Sequence, residues 1–163
     1  HLDRYWDKIK DRADQGDTPY NLRNCAYLED FSQPKAMWKI IGCNINFSFD
    51  YERYLCNNAV NIITGKESVI LQFVGIMNSK LFDWYLKLTT EAEVQGGGIQ
   101  LYVTTLEKTR VKLDFPEPLS PVVRGRVQGN HSDADVDKAV FDAYGLSDEE
   151  RDYIIQHKKV NRK

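Results

Sequence analysis

Arg12, Gln15, Arg23, Asn24, Lys35 and Lys39 set hydrogen-bond donors along a turn-rich stretch that runs from Arg12 to Ile40, with Tyr20, Tyr27 and Trp38 interleaved. Guanidinium groups pair in two-pronged fashion with phosphates or guanine edges, amides read adenine edges, and aromatic rings pack on sugars or stack on bases. The stretch thus has the make-up of a surface that grips a polar, planar, negatively charged ligand. The same residues also have an ordinary reading, with the tyrosines half-buried in a core and the arginines solvated or paired with Asp14, Asp17 and Glu29.

Residues for bond-making chemistry are sparse. His1, His131 and His157 are scattered and sit in no Ser/His/Asp or Cys/His arrangement. A nuclease centre needs a carboxylate cluster at a strand end with a lysine nearby, to hold metal and activate water. Asp50 and Glu52 are the nearest approach to one, although a solvated turn between strands is the expected setting for them. Gly96, Gly97 and Gly98 precede a strand and so fit neither the dinucleotide nor the phosphate-loop pattern. They read as a mobile loop, or as a contact loop where a backbone comes close to a ligand. Cys25, Cys43 and Cys56 are too widely spaced for a disulfide framework or a zinc site and read as reduced thiols. No catalytic or metal-binding residue is assigned.

The elements that would position these groups follow from periodicity. Leu2, Tyr5, Trp6 and Ile9 have helical spacing, and Gly16 and Pro19 mark the turn that follows. Lys35–Ile41 reads as a strand. Asn44–Tyr51 alternates Ile45, Phe47, Phe49 and Tyr51 on one face, and Tyr54–Thr64 suggests a third strand, with antiparallel pairing of the three the simplest arrangement. Ser68–Met77 is apolar nearly all round, a buried helix for which Ser68 is the expected N-cap. Asn78 is expected to end it in the left-handed conformation, and Ser79 to cap a second helix over Lys80–Thr89. Ile99–Thr105 reads as a strand, with a helical turn near Leu106–Arg110. Residues 116–130 hold three prolines and two glycines and read as a linker. Asp133–Tyr144 has Val136, Ala139, Val140 and Ala143 on one face and Gly145 as its stop, and Ser147 with Glu150 forms a capping box for a last helix.

The chain has 163 residues, 42% of them hydrophobic and 12% aromatic, enough for a real core. The N-terminal residues are charged and lack a signal-peptide core, and no apolar run reaches bilayer length. A cytoplasmic protein is expected, and the absence of an initiating Met points to a piece of a longer polypeptide. A net charge of −2 and a pI near 5.9 weigh against a free-standing nucleic-acid binder. A larger protein can nevertheless carry phosphate contacts elsewhere.

The order of several motifs resembles the C-terminal specificity domain of TaqI-like adenine DNA methyltransferases and of single-chain type IIG restriction–modification enzymes. A Gly-x-Thr-Pro-Tyr-x-Leu-Arg element is present as Gly16, Thr18, Pro19, Tyr20, Leu22 and Arg23, followed by Cys25–Tyr27 and by Pro34-Lys35. Asn78, Ser79, Lys80 and Leu81 match a Leu-Asn-Ser-Lys-Leu junction, with Met77 in place of the first leucine. QGGGIQLYVTTLEKTRVKLDFP is similar to the glycine-rich loop and the strand before the family's exit, where VKLDF replaces Ile-Pro-Ile-Pro. VDKAVFDAYGLSDEERDYI resembles the closing helix pair.

The resemblance implies a non-catalytic module that clamps duplex DNA and reads target bases while an N-terminal methyltransferase domain of the same polypeptide, carrying S-adenosylmethionine and with or without a fused nuclease, flips adenine. The Asn-Pro-Pro-aromatic tetrapeptide that holds the flipped adenine is absent from the sequence. No cofactor is expected in this piece. The expected DNA contacts are Arg12, Gln15, Thr18, Tyr20, Arg23 and Lys35, with Gly96, Gly97 and Gly98 as a contact loop.

The expected architecture is α+β, a small, mixed but mainly antiparallel sheet with a buried helical pair and a short C-terminal helical hairpin. Its expected division is a recognition domain over 1–118, a linker over 119–132 and a helical pair over 133–163. A protein-interaction module without a DNA role is the alternative, and a small nuclease using Asp50 and Glu52 is a more distant one.

Overall fold

A computed structural model describes residues 1–44, 46–90, 93–94, 98–113 and 119–156. They form an α+β chain that divides into two compact units, His1–Ser32 and Gln33–Lys163. No helix among the described residues is long and apolar enough to cross a membrane.

The first unit opens with a 3-10 turn, Leu2–Tyr5, that runs into one α turn, α1 (Trp6–Ile9). A tight loop follows, closed by an antiparallel bridge between Gln15 and Leu22. A second 3-10 turn, Leu28–Ser32, ends the unit, with Phe31 buried and the Tyr27 ring 6.2 Å from it.

The second unit is built on an antiparallel sheet of β1 (Lys35–Lys39), β3 (Phe47–Asp50) and β4 (Val60–Thr64), in the order β3-β1-β4. The expected pairing of three strands is therefore present. Trp38 lies opposite Phe47, and Ala36 opposite Phe49. The Trp38 and Phe47 rings stack at 5.2 Å, and Phe73 meets Phe47 edge-on at 5.4 Å. This places α2 (Glu67–Met77) over that face, with Ile70, Leu71, Phe73, Val74, Ile76 and Met77 all buried.

The expected strand Lys35–Ile41 breaks at Ile40, whose N–H donates to the Ala59 carbonyl. Beyond the break, β2 (Ile41–Gly42) joins a second sheet, β2-β6-β5, with β5 at Glu93–Val94 and β6 at Gly98–Gln100. Leu101 links the two strand systems. Its N–H donates to the Ile40 carbonyl, and its own carbonyl accepts from the buried Trp38 indole at 3.2 Å.

The ends of α2 differ from expectation. Lys66 stands at the N-cap without a side-chain bond, and Ser68 lies inside the helix, where its carbonyl accepts from the Ser120 hydroxyl. Asn78 stays right-handed, at φ −91° and ψ −5°. Its side-chain amide is used elsewhere: Oδ1 accepts from the Phe47 N–H at 2.8 Å, and Nδ2 donates to the Phe47 carbonyl at 2.7 Å. A side chain thus takes the place of a neighbouring strand along the edge of β3. Ser79 caps α3 (Lys80–Thr89) as expected, accepting from the Phe82 N–H.

Two segments expected to be extended or irregular are helical. Val103–Glu107 forms the short α4 where a strand was expected to continue, and Leu119–Val127 forms α5 inside the expected linker. The composition of α5 misleads because each breaker is tolerated where it stands. Pro121 lies in the first turn, where its missing N–H would have no intrahelical partner. Gly125 and Gly75 permit close approach, since a Cβ on Gly75 would lie 2.4 Å from Val123 Cγ2. Leu119 and Val123 are buried, and α5 packs on α2 and on α6 (Asp133–Tyr144). The sheet, the central helices and the C-terminal pair therefore share one unit. Asp137 of α6, itself buried, accepts from the Lys80 N–H at 2.8 Å and pairs with its ammonium at 2.9 Å, pinning the start of α3.

The C-terminal pair carries the expected Gly145 stop and Ser147–Glu150 cap, and a further cap at its start that sequence reasoning did not include. Ser132 and Asp135 form a capping box for α6, and Gly145 ends it at φ 69°. Ser147 and Glu150 cap α7 (Asp148–Gln156) reciprocally.

Candidate nucleic-acid interface

In the first unit, the residues between Arg12 and Arg23 build one closed loop. A Cβ on Gly16 would lie 2.5 Å from the Leu22 carbonyl oxygen, so only glycine allows the two strands of the loop to close. The Gly16 N–H donates to the Asn21 carbonyl at 3.1 Å, and the Asn21 N–H donates to the Thr18 carbonyl at 3.0 Å. The Thr18 hydroxyl donates to Asn21 Oδ1 at 2.6 Å and accepts from the Tyr20 N–H at 3.3 Å. The Arg12 guanidinium also donates to the Asn21 carbonyl. Tyr20 stacks on Trp6 with centroids 5.5 Å apart and donates its hydroxyl to Asp3 at 2.9 Å, a bond that holds the phenol above its ordinary pKa.

The expected contact residues of this unit therefore separate into two groups. Arg12, Thr18 and Tyr20 brace the loop. Gln15 and Arg23 project from it into solvent. Arg23 reaches Asp14 at 3.3 Å, with both side chains about three-quarters or more exposed (76% and 82%). An exposed pair of this kind contributes at most about 1 kcal/mol, so the guanidinium can exchange the carboxylate for a phosphate. Leu22, opposite Gln15 in the bridge, is 79% exposed. Sequence reasoning passed it over because a leucine in a motif reads as core.

Lys35, in the second unit, is not available to DNA. It is fully buried, and its ammonium pairs with the Asp50 carboxylate directly across the β1–β3 ladder. Asp50 is likewise buried rather than set in a solvated turn. Its Oδ1 accepts from the Glu52 N–H at 2.8 Å, and its Oδ2 accepts from the Tyr54 N–H at 3.0 Å. With its oxygens engaged by an ammonium and two amides, Asp50 is poorly disposed to hold a metal with Glu52. Among the described residues no three His, Cys, Asp or Glu side chains gather into a metal-binding group. The chain after Asp50 returns past Lys35. Burial raises the Cys56 thiol above its ordinary pKa, and the Lys35 charge partly offsets that rise. Gly96 and Gly97 lie outside the described residues, and Gly98 opens β6.

Residues 2–109 match the TaqI-like C-terminal specificity domain, two-thirds of the chain and both the braced loop and the sheet. The chain belongs to that family. Membership supports a DNA-recognition role within restriction–modification methyltransferases. No curated protein matches the chain. The family's Gly-x-Thr-Pro-Tyr-x-Leu-Arg element now has a physical account. Gly16 permits closure, Thr18 and Tyr20 lock the turn, and Leu22 and Arg23 are carried at its rim.

Proposed function

We propose that the chain is the non-catalytic DNA sequence-recognition domain of an adenine-specific DNA methyltransferase, or of a fused methyltransferase–endonuclease, in a restriction–modification system. The family match over residues 2–109 carries this reading. The partners are double-stranded DNA and an N-terminal methyltransferase domain of the same polypeptide, which would bind S-adenosylmethionine and perform the transfer. The braced loop supports the assignment, because a rigid backbone presenting one amide and one guanidinium suits groove recognition better than a mobile one does. In this reading Arg23 binds phosphate and Gln15 reads a base edge.

The test is selection of binding sites from a randomised duplex library with the full-length protein, followed by salt titration. Arg23→Ala is expected to weaken binding to all sequences and to reduce the salt slope by about one. Gln15→Ala is expected to relax preference at a single position. Unchanged site, affinity and salt slope in both variants would refute these assignments, and failure of the unsubstituted protein to select any site would refute the function.

A further inference from the structure

We infer that the loop from Tyr51 to Leu55, between β3 and β4, is a second base-reading element, with Arg53 as its specificity-determining side chain. This rests on the DNA-recognition reading above and assigns it to a part of the chain that the family motif does not include. Tyr51, Tyr54 and Leu55 are 59%, 64% and 69% exposed, and Glu52 and Arg53 are exposed with them. Five successive residues with large side chains thus face water at the rim of the sheet, where a structural turn would favour small polar ones.

The backbone of this loop is held, and at a cost. Arg53 sits at φ 63°, left-handed territory that glycine or asparagine occupies more readily. Such a conformation persists only where its surroundings enforce it, and it clusters at functional sites. Here the enforcing element is visible. The Asp50 carboxylate takes the N–H groups on either side of Arg53, those of Glu52 and Tyr54, and the buried Lys35 fixes that carboxylate in place. Lys35 and Asp50 are positioning residues, and the loop is what they position.

The side chains suit duplex DNA. A guanidinium on a fixed backbone can take the two acceptors of a guanine edge, a carboxylate such as Glu52 can accept from a cytosine amine, and tyrosine rings and Leu55 can pack on sugars or a thymine methyl. A protein partner would use the same apolar surface without needing Arg53 held in a strained conformation.

The experiment is the same duplex selection with full-length protein, comparing Arg53→Ala, Arg53→Lys and Arg53→Gly, alongside thermal melting. Arg53→Ala is expected to lose preference at one base pair and to bind the selected site about tenfold or more weakly. Arg53→Lys should keep general affinity but not the preference, since an ammonium lacks the two-pronged geometry. Arg53→Gly relieves the backbone strain and should melt no lower than the parent while losing the same base preference, which a purely structural role would not produce. If the parent selects a site and all three variants select it equally well, the loop inference is overturned and the recognition function stands. If the parent selects no site, both fall.

Discussion

Replacing Lys35 by methionine should cost a large share of the stability of this chain, through a buried charge pair that lies out of reach of DNA. Lys35 has no solvent exposure, and the side chain of Asp50 is 4% exposed. Removing one member of such a pair leaves the other charge buried and uncompensated, a loss of about 3–5 kcal/mol. Whole domains have only about 5–15 kcal/mol in total. With a urea m-value of about 2 kcal/mol per molar, the unfolding midpoint should fall by about 2 M. Asp50→Leu alone should behave similarly, because it removes the carboxylate paired with the buried ammonium. In the double variant, Lys35→Met with Asp50→Leu, no charge remains buried. The residual loss is then chiefly the acceptor for two backbone N–H groups that water can reach, at about 1 kcal/mol each. The double variant should therefore be more stable than either single one. Equilibrium urea unfolding of all four proteins, followed by tryptophan fluorescence, measures this. A single-variant loss under about 1 kcal/mol, or simple addition of the two losses in the double variant, would refute the buried-pair account.

Asn78→Asp keeps the acceptor for the Phe47 N–H but sets a carboxylate against the Phe47 carbonyl, and should lower stability by about 1–3 kcal/mol in urea unfolding. A neutral result would mean that the amide does not stand in for a strand. Gly75→Ala should cost about 1–3 kcal/mol through overlap with Val123, and Val123→Ala should recover part of that loss in the pair, read by melting temperature. Acid should loosen the C-terminal pair. The Ser132 N–H lowers the Asp135 pKa, and Lys138, followed by Arg151, lowers that of Asp142. Their stabilisation is complete above the ordinary carboxylate value of about 3.9 and is lost as pH falls through the lower folded values. Asp135→Asn with Asp142→Asn should flatten the dependence of the urea midpoint on pH between about 5 and 2, and an unaltered slope would contradict this.

The parts of the fold legible in the sequence are those where periodicity and local caps agree. Phe47 and Phe49 flag an inward face, the Ser68–Met77 run is apolar on every side, and Ser79, Gly145 and the Ser147–Glu150 box mark ends through bonds spanning only a few residues. What was not legible depends on partners far along the chain. Asn78 looks like a helix stop, and only the presence of Phe47, 31 residues earlier, shows where its amide is needed. Asp50 looks solvated until Lys35 is seen opposite it in the register. Leu119–Val127 looks like a linker because its proline and glycine are counted without the turn position of one and the neighbours of the other. The candidate site divides in the same way. Gln15 and Arg23 follow from the motif, whereas the separate roles of Arg12, Thr18 and Tyr20 emerge only from the bonds that close the loop, and the Tyr51–Leu55 surface from a backbone angle that no motif encodes.

The amide of Asn78 has a consequence for the company this protein keeps. An outer strand with vacant N–H and C=O groups is a template onto which a second copy can zip, and proteins that must stay soluble at high concentration obstruct such rims. At Phe47 the obstruction is a single side chain from the end of a neighbouring helix, occupying both groups at once. Self-association along this rim would first require that plug to be withdrawn, and withdrawing it would disturb the α2–α3 junction that supplies it. Resistance to aggregation is thereby tied to the integrity of the helical pair, so that damage at the junction would expose a sticky rim as well as weaken the fold.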